Sequence, residues 1–290
     1  MNTKEQTNPT ELQATIKLGI DAHAKWFYMA RQVDGATPQP VQKMTLDGLL
    51  CFVARQQRLA REVYTCYEAG AFGYYPHRKL TALGVANYVV QPQDWDERGK
   101  GMKNDRLDAL ALCQRLDRFT RGNQKAFSLV RVPTEEEERE RAFTRQRQQI
   151  VRERQRLQAM GRSLLASHGI HVTGKWWTGS TWKRILDEAP AWVVERLRTL
   201  VRLIEPMEAE EKVMTEAIQE KGAEATIPRG VGPLTFEVLR REVGDWSRFT
   251  NRRQVSSYTS LCPREHSSGG KRRGGSVSKK GQTPTHPTSP

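Results

Sequence analysis

The spacing of apolar residues changes along the chain, from alternation near the start to helical periods further on. From Ile16 to Asp21, the apolar residues Ile16, Leu18 and Ile20 alternate with Lys17 and Gly19, and the run stops at Asp21 and the polar step Ala22-His23. Alternation of this kind predicts a strand, here one that ends on a carboxylate. A β-prone run from Trp26 to Val33 followed by the turn former Asp34-Gly35 predicts a second strand, and Pro40 to Met44 a third. Thr45 is placed to cap a helix reaching about Ala60, in which Leu46, Leu49, Leu50, Phe52, Val53 and Leu59 keep roughly helical spacing. Glu62 to Glu68 is again short, β-prone and closed by a carboxylate. Ala71 to Leu83 reads as a helix ended by Gly84, and Val85 to Val90 as a strand stopped by Pro92. Strand, hairpin, helix, strand, helix, strand is the order of an α/β fold.

Past this region the pattern is helical. Asn104 to Thr120 predicts a helix with Leu107, Leu110, Ala111 and Leu116 on its apolar stripe. From Thr134 a long polar helix follows, with acids in its first turns, arginines after them, and Gly169 to close it. Its apolar residues Phe143, Ile150, Leu157, Leu164 and Leu165 recur at about seven-residue intervals, which predicts a coiled-coil seam, and the helix would extend about 50 Å. A second long helix, Ala189 to Lys221, is expected to return along the first, bent or broken at Pro206. Between the two, residues 171–184 hold three tryptophans among basic residues. These suit either base stacking or, as the stronger expectation, packing of the helix junction. The division expected is a leader over 1–14, an α/β domain over 15–130, a coiled-coil region over 133–222, a small helical domain over 223–282 and an aberrant tail over 283–290.

Composition narrows the partner. The chain has 290 residues, enough for about two domains. It carries 47 Lys and Arg against 33 Asp and Glu, a formal +14, with arginines crowded between 139 and 162 and cations again between 264 and 280. Such a charge points to a polyanion, although structural nucleic-acid binders share it and it names no reaction. Four cysteines (Cys51, Cys66, Cys113 and Cys262) lie at wide spacings with no C-x-x-C pair, which speaks for reduced thiols and against zinc. The polar N-terminus and the absence of a long apolar run predict a soluble, cytoplasmic protein without a membrane partner.

The carboxylates carry the candidate chemistry. If the strand ending at Glu68 lies parallel beside the one ending at Asp21, both acids emerge at one sheet edge, where α/β folds place their sites. Asp105 and Asp108, three apart, share one face of a helical first turn. First-turn acids also answer the helix dipole, and a strand-ending Asp is commonly a turn former, so each has an ordinary structural reading alone. Four carboxylates meeting at one point repel one another unless divalent cations sit among them, and Mg²⁺ suits oxygen ligands and phosphate substrates. Further on, Gly230-Val231-Gly232 before an amphipathic helix resembles a helix-hairpin-helix turn that offers N–H groups to a DNA phosphate. A serine beside Gly269, with Lys271, Arg272, Arg273, Lys279 and Lys280 nearby, has the makings of a hydroxyl nucleophile acting on phosphate.

The motifs GIDAHAK at 19–25, YEAG at 67–70, KNDRLDA at 103–109, RGVGPLT at 229–235 and YTSLCPREHSSGGKRRGGSVSKKG at 258–281 together resemble the insertion-sequence transposase family IS-one-ten, in its IS-eleven-eleven branch. The resemblance implies a RuvC-like, ribonuclease H-like domain whose DEDD acids, matched by Asp21, Glu68, Asp105 and Asp108, bind Mg²⁺. It implies long coiled-coil helices and a C-terminal transposase domain with a serine nucleophile, matched by Ser268 with Ser267 as the alternative. It further implies donor and target DNA as partners, a structured bridge RNA as guide, and a bacterial, nucleoid-associated location. Long paired helices favour a homodimer or a dimer of dimers. The family pattern continues helically after the K-x-G step, whereas here Lys280-Gly281-Gln282 leads into TPTHPTSP, which cannot form a helix. A truncated, impaired copy is the expectation from that departure. Two other readings stay open: a RuvC-type endonuclease in which metal-activated water attacks, and an inactive copy that only binds nucleic acid.

Overall fold

The computed structural model describes residues 13–92, 104–220, 222, 226–258, 263–265 and 274–277. Ser267, Ser268, the cations from Lys271 to Arg273, Lys279, Lys280 and the tail 283–290 lie outside them. The chain divides at Val132/Pro133 into two compact units.

The first unit is a mixed five-stranded sheet with flanking helices. In chain order it holds β1 (Gln13–Ala22), β2 (Phe27–Val33), β3 (Gln42–Met44), α1 (Leu46–Gln56), β4 (Ala60–Glu68), α2 (Tyr75–Ala82), β5 (Ala86–Val90) and α3 (Asp105–Thr120). The strand order is β3-β2-β1-β4-β5. β1 pairs antiparallel with β2 and parallel with β4, and β4 pairs parallel with β5. The α/β order expected from the sequence is therefore present, and β1 lies at the centre.

Alternation along β1 sorts its side chains between two layers. Ile16, Leu18 and Ile20 enter a core shared with Leu49 and Val53 of α1 and Leu80 of α2. Lys17, Gly19 and Asp21 have the opposite parity and face α3. The same parity on β4 sends Val63 and Tyr67 into the first core and Cys66 toward Leu112 and Leu116 of α3. Glu68 shares the parity of Cys66.

Two helix ends differ from the sequence reading. α1 stops at Gln56 rather than near Ala60, because Ala60 is the first residue of β4 and is buried in the core. α2 starts at Tyr75 rather than Ala71, since Gly73 adopts φ 57°, outside the helical region, and Pro76 then suits the first turn. The larger correction concerns α3. Its buried residues are Ala109, Leu112, Cys113 and Leu116, while Leu107 is 58% exposed. Of the expected stripe only Leu116 is buried; with Leu112 it packs on β4 and β5, while the small residues Ala109 and Cys113 meet β1 and β2, where the helix lies close upon the sheet.

The second unit is helical. α4 (Glu135–Ala166), α5 (Gly179–Glu188), α6 (Ala191–Glu220), α7 (Pro233–Val243) and α8 (Arg252–Tyr258) precede the strand pair β6 (Pro263–Glu265) and β7 (Gly274–Val277). Thr134 caps α4 in a reciprocal capping box with Glu137, and Gly169 at φ 76° follows its end. α4 and α6 run antiparallel, since Arg147 Nε donates to Thr215 Oγ1 at 2.7 Å and Arg154 Nε to Glu211 Oε2 at 2.8 Å, the earlier residue of α4 meeting the later one of α6. The seam is filled within one chain, so the pairing of these helices does not itself call for a second subunit. Leu157 and Leu165 are buried in it, Phe143 and Ile150 only partly.

Trp176 and Trp177 are buried where the helices join, with Trp176 Nε1 donating to the Gln158 carbonyl at 3.1 Å and its ring lying over Gly161. Packing, not base stacking, occupies these two. α5 has no counterpart in the sequence reading, and it ends where Ala189 turns extended before Pro190. α6 is not broken at Pro206. The proline is exposed, so the Arg202 carbonyl left without its helical donor faces water. α7 buries charge: Glu237, Arg241 and Glu242 are each at most 5% exposed. Glu242 takes Arg145 Nε at 3.0 Å and Arg141 Nε at 3.5 Å, and Glu237 takes Arg240 and Arg241. Several of the arginines crowded between 139 and 162 are thus spent on internal pairs.

Candidate metal centre

Three contacts along the β1–α3 pair set its register. Lys17 Nζ, buried, donates to Asp117 Oδ1 at 2.7 Å near the C-terminal end of α3. Gly19 lies beneath the middle of the helix, where a Cβ would fall on the Cys113 backbone nitrogen and 2.6 Å from the Ala109 carbonyl oxygen. Asp21 then meets the first turn. Strand and helix run in opposite directions, so this third contact brings the end of β1 to the start of α3, where Asn104 caps the helix by accepting from the Arg106 N–H at 3.0 Å.

Asp21, His23 and Asp105 form the group that results. His23 Nε2 lies 3.0 Å from Asp21 Oδ2 and 3.4 Å from Asp105 Oδ1, and one donor atom from each of the three residues lies within 4.8 Å of the others. Burial raises the Asp21 pKa above the ordinary carboxylate value, the His23 ring lowers it, and the charges of Asp108 and Asp105 raise it again. Asp108 thus acts on the same point. Glu68 reaches the edge by strand register: Ile20 pairs with Tyr67, and Asp21 and Glu68 each stand one residue further along parallel neighbours. Asp21 therefore has Asp105 within ligand distance, Asp108 within Coulombic reach and Glu68 on the adjoining strand end. The tight three-residue group, however, contains His23 and neither Asp108 nor Glu68 among its members.

Oxygen donors with a net negative charge and one imidazole suit a divalent cation. The raised Asp21 pKa comes first from burial, and the nearby charges of Asp108 and Asp105 add to it. His23 was passed over in the sequence as part of a polar step. Its D-x-H spacing from Asp21 is the signal, and it gains meaning only because the β1–β2 turn folds the ring back over the strand end. Cys66 and Cys113 of the same layer are structural, with burial pushing the Cys113 thiol up to about 11 and Cys66 well above its ordinary value.

The shift at Asp21 gives a stability prediction. In the metal-free protein the folded state holds the Asp21 proton more tightly than the unfolded chain, so ionisation there opposes folding. The opposition sets in as pH rises past the unfolded value of 3.8 and is complete above the raised native pKa. Asp21→Asn should therefore be more stable than the parent at neutral pH in chelator, by roughly 1 kcal/mol or less because solvent reaches the site. The gain should vanish by about pH 3. Urea unfolding across a pH series measures it.

Of the serine pair, only the flanks are described: β6 and β7 pair antiparallel, with Glu265 opposite Gly274. The Gly-Val-Gly turn has Gly230 at φ 88°, and Gly232 precedes α7 without a side-chain cap. Among the described residues no helix is long and apolar enough to cross a membrane.

Comparison with known proteins adds the following. A protein of Sinorhizobium fredii that carries the name transposase is 29% identical, over 90% of this chain and 74% of its own length. A family 20 transposase of Pseudomonas aeruginosa is 30% identical over 74% of this chain and 66% of its own, and the transposase for insertion sequence element IS1111A of Coxiella burnetii is 27% identical over 71% and 58%. The chain spans between about half and three quarters of the length of its curated relatives. By name, these relatives are transposases, a class of DNA-processing enzyme. The family model for the IS116/IS110/IS902 transposases matches residues 225–285, and the chain belongs to that family.

Proposed function

We propose that the chain is a DNA recombinase of a mobile element, with a RuvC-like first unit whose acids Asp21, Glu68, Asp105 and Asp108 hold Mg²⁺ and whose partner serine is Ser268, or Ser267 beside it. The observation that carries this reading is the meeting of Asp21 with Asp105 at the end of β1. Family membership and the formal +14 charge support DNA as the substrate. A structured bridge RNA as guide, and a dimer or dimer of dimers as the working form, extend the reading along the family resemblance.

Bound among these acids, Mg²⁺ would supply a Lewis acid for the developing charge on a phosphate. The protein's own residues do the rest. The strand end and the α3 first turn fix the carboxylates before substrate arrives, so little reorganisation is needed when charge develops. The serine Oγ forms a bond to a backbone phosphorus and gives up its proton, while the bond from phosphorus to one sugar oxygen breaks and that oxygen leaves as a hydroxyl. The product is a phosphoserine link. Attack by a hydroxyl of the second strand reverses the step and releases the serine.

Incubation of the chain with DNA of the element's ends, its noncoding RNA and Mg²⁺ is expected to yield a protein–DNA adduct that survives denaturation and is absent in chelator. Ser268→Ala should lose it and Ser267→Ala keep it. Cleavage that persists in the double serine variant would instead establish water as the nucleophile and the endonuclease reading.

A further inference from the structure

The geometry points to His23 as a direct ligand of the metal at this centre, giving it a nitrogen donor and a preference for Mn²⁺ over Mg²⁺. The inference rests on the carboxylate site proposed above and adds to it a residue outside the four acids.

His23 follows the last residue of β1, and its backbone N–H donates to the Trp26 carbonyl at 3.0 Å, closing the turn into β2. Its ring meets the Tyr28 ring edge-on with centroids 5.8 Å apart, and Tyr28 is the ladder partner of Asp21. Turn and aromatic contact together hold the imidazole on the Asp21 side of the strand. Nε2 is then 3.0 Å from Asp21 Oδ2 and 3.4 Å from Asp105 Oδ1. Two donors bound side by side to an octahedral ion at about 2.1 Å stand about 3.0 Å apart, close to the spacing His23 Nε2 keeps from each carboxylate. The His23 side chain is 47% exposed, which leaves the solvent side open for waters or phosphate oxygens.

The donor set decides the ion. Mg²⁺ accepts oxygen and parts with water reluctantly, so an imidazole in its first shell adds little. Mn²⁺ has similar size and charge but binds nitrogen more readily, and later members of the divalent series bind it more strongly still. An imidazole between two carboxylates therefore selects for Mn²⁺ without excluding Mg²⁺.

The test uses the full chain with Mn²⁺ alone, followed by electron paramagnetic resonance and by competition with Mg²⁺. The parent should bind Mn²⁺ at least about tenfold more tightly than Mg²⁺, and the bound ion should show the electron-spin-echo modulation of a directly ligated imidazole nitrogen. His23→Ala should lose the modulation and most of the preference, while its Mg²⁺ affinity changes by no more than about threefold. His23→Gln, which returns an oxygen donor, should restore total affinity but not the preference. Circular dichroism melting of each variant separates these effects from loss of fold. Parent Mn²⁺ bound without nitrogen modulation, or a preference unchanged in His23→Ala, overturns the inference, and if Asp21→Asn then abolishes binding the carboxylate site stands without it. Failure of the parent to bind either ion overturns both.

Discussion

Asp21→Asn is expected to lower DNA strand cleavage and joining by about a thousandfold or more, about 4 kcal/mol of transition-state stabilisation, with nucleic-acid binding retained. The substitution keeps the volume and one hydrogen-bonding oxygen for His23 but removes the central charge. Asp21 is the residue on which the others converge: Asp105 and His23 lie within ligand distance, and Asp108 raises its pKa. Losing one carboxylate from a site that positions charge against a phosphate removes affinity for the cation and alignment of what remains. Asp47→Asn is the control, since Asp47 is an exposed acid in the first turn of α1, the helix that packs on the face of the sheet opposite α3. It should leave the rate unchanged within about twofold. A DNA-joining assay with end-labelled substrate reads both. Activity within threefold of the parent in Asp21→Asn would place the chemistry elsewhere in the chain.

The second large effect is expected from a single methyl group. Gly19→Ala would push a Cβ into the backbone of α3 at Ala109 and Cys113, where no side-chain rotation relieves it. Overpacking of this kind costs about 3 kcal/mol or more, because helix or strand must shift. The shift acts directly on the site: α3 is held at one end by Lys17 and Asp117, so displacement about that anchor moves Asp105 from Asp21. Urea unfolding should show the stability loss, and Mn²⁺ affinity of the folded fraction should fall with it. Gly35→Ala serves as control. Its Cβ would meet only the end of the Arg121 side chain, which can swing into solvent, and it should cost under about 1 kcal/mol. Equal costs at the two glycines would mean that the β1–α3 contact is not what seats the helix.

The sequence determined the local elements whose causes are local. Alternation of Ile16, Leu18 and Ile20 specified β1 and the face it turns to the core beneath α1 and α2, but not that Lys17 and Gly19 on the other face are buried under α3. The Thr134/Glu137 capping box specified the start of α4, and Gly169 its end. It also placed Asp21 and Glu68 at strand ends, whereas the parallel β1–β4 pairing that makes them neighbours was a condition that the sheet fulfils. The tertiary structure decided what depends on distance between elements. Close approach at Gly19 set α3 so that Ala109 and Cys113 meet β1 while Leu112 and Leu116 meet β4 and β5 and Leu107 faces solvent, and that orientation brings Asp105 to Asp21. Charged residues of α7 went inside because α4 supplies arginines to pair with them. His23 came between two carboxylates only because the turn after β1 closes and sets its ring there. Periodicity records which face of an element is apolar; how near its neighbour comes, and which polar groups thereby lose water and must find one another, is a property of the packed whole.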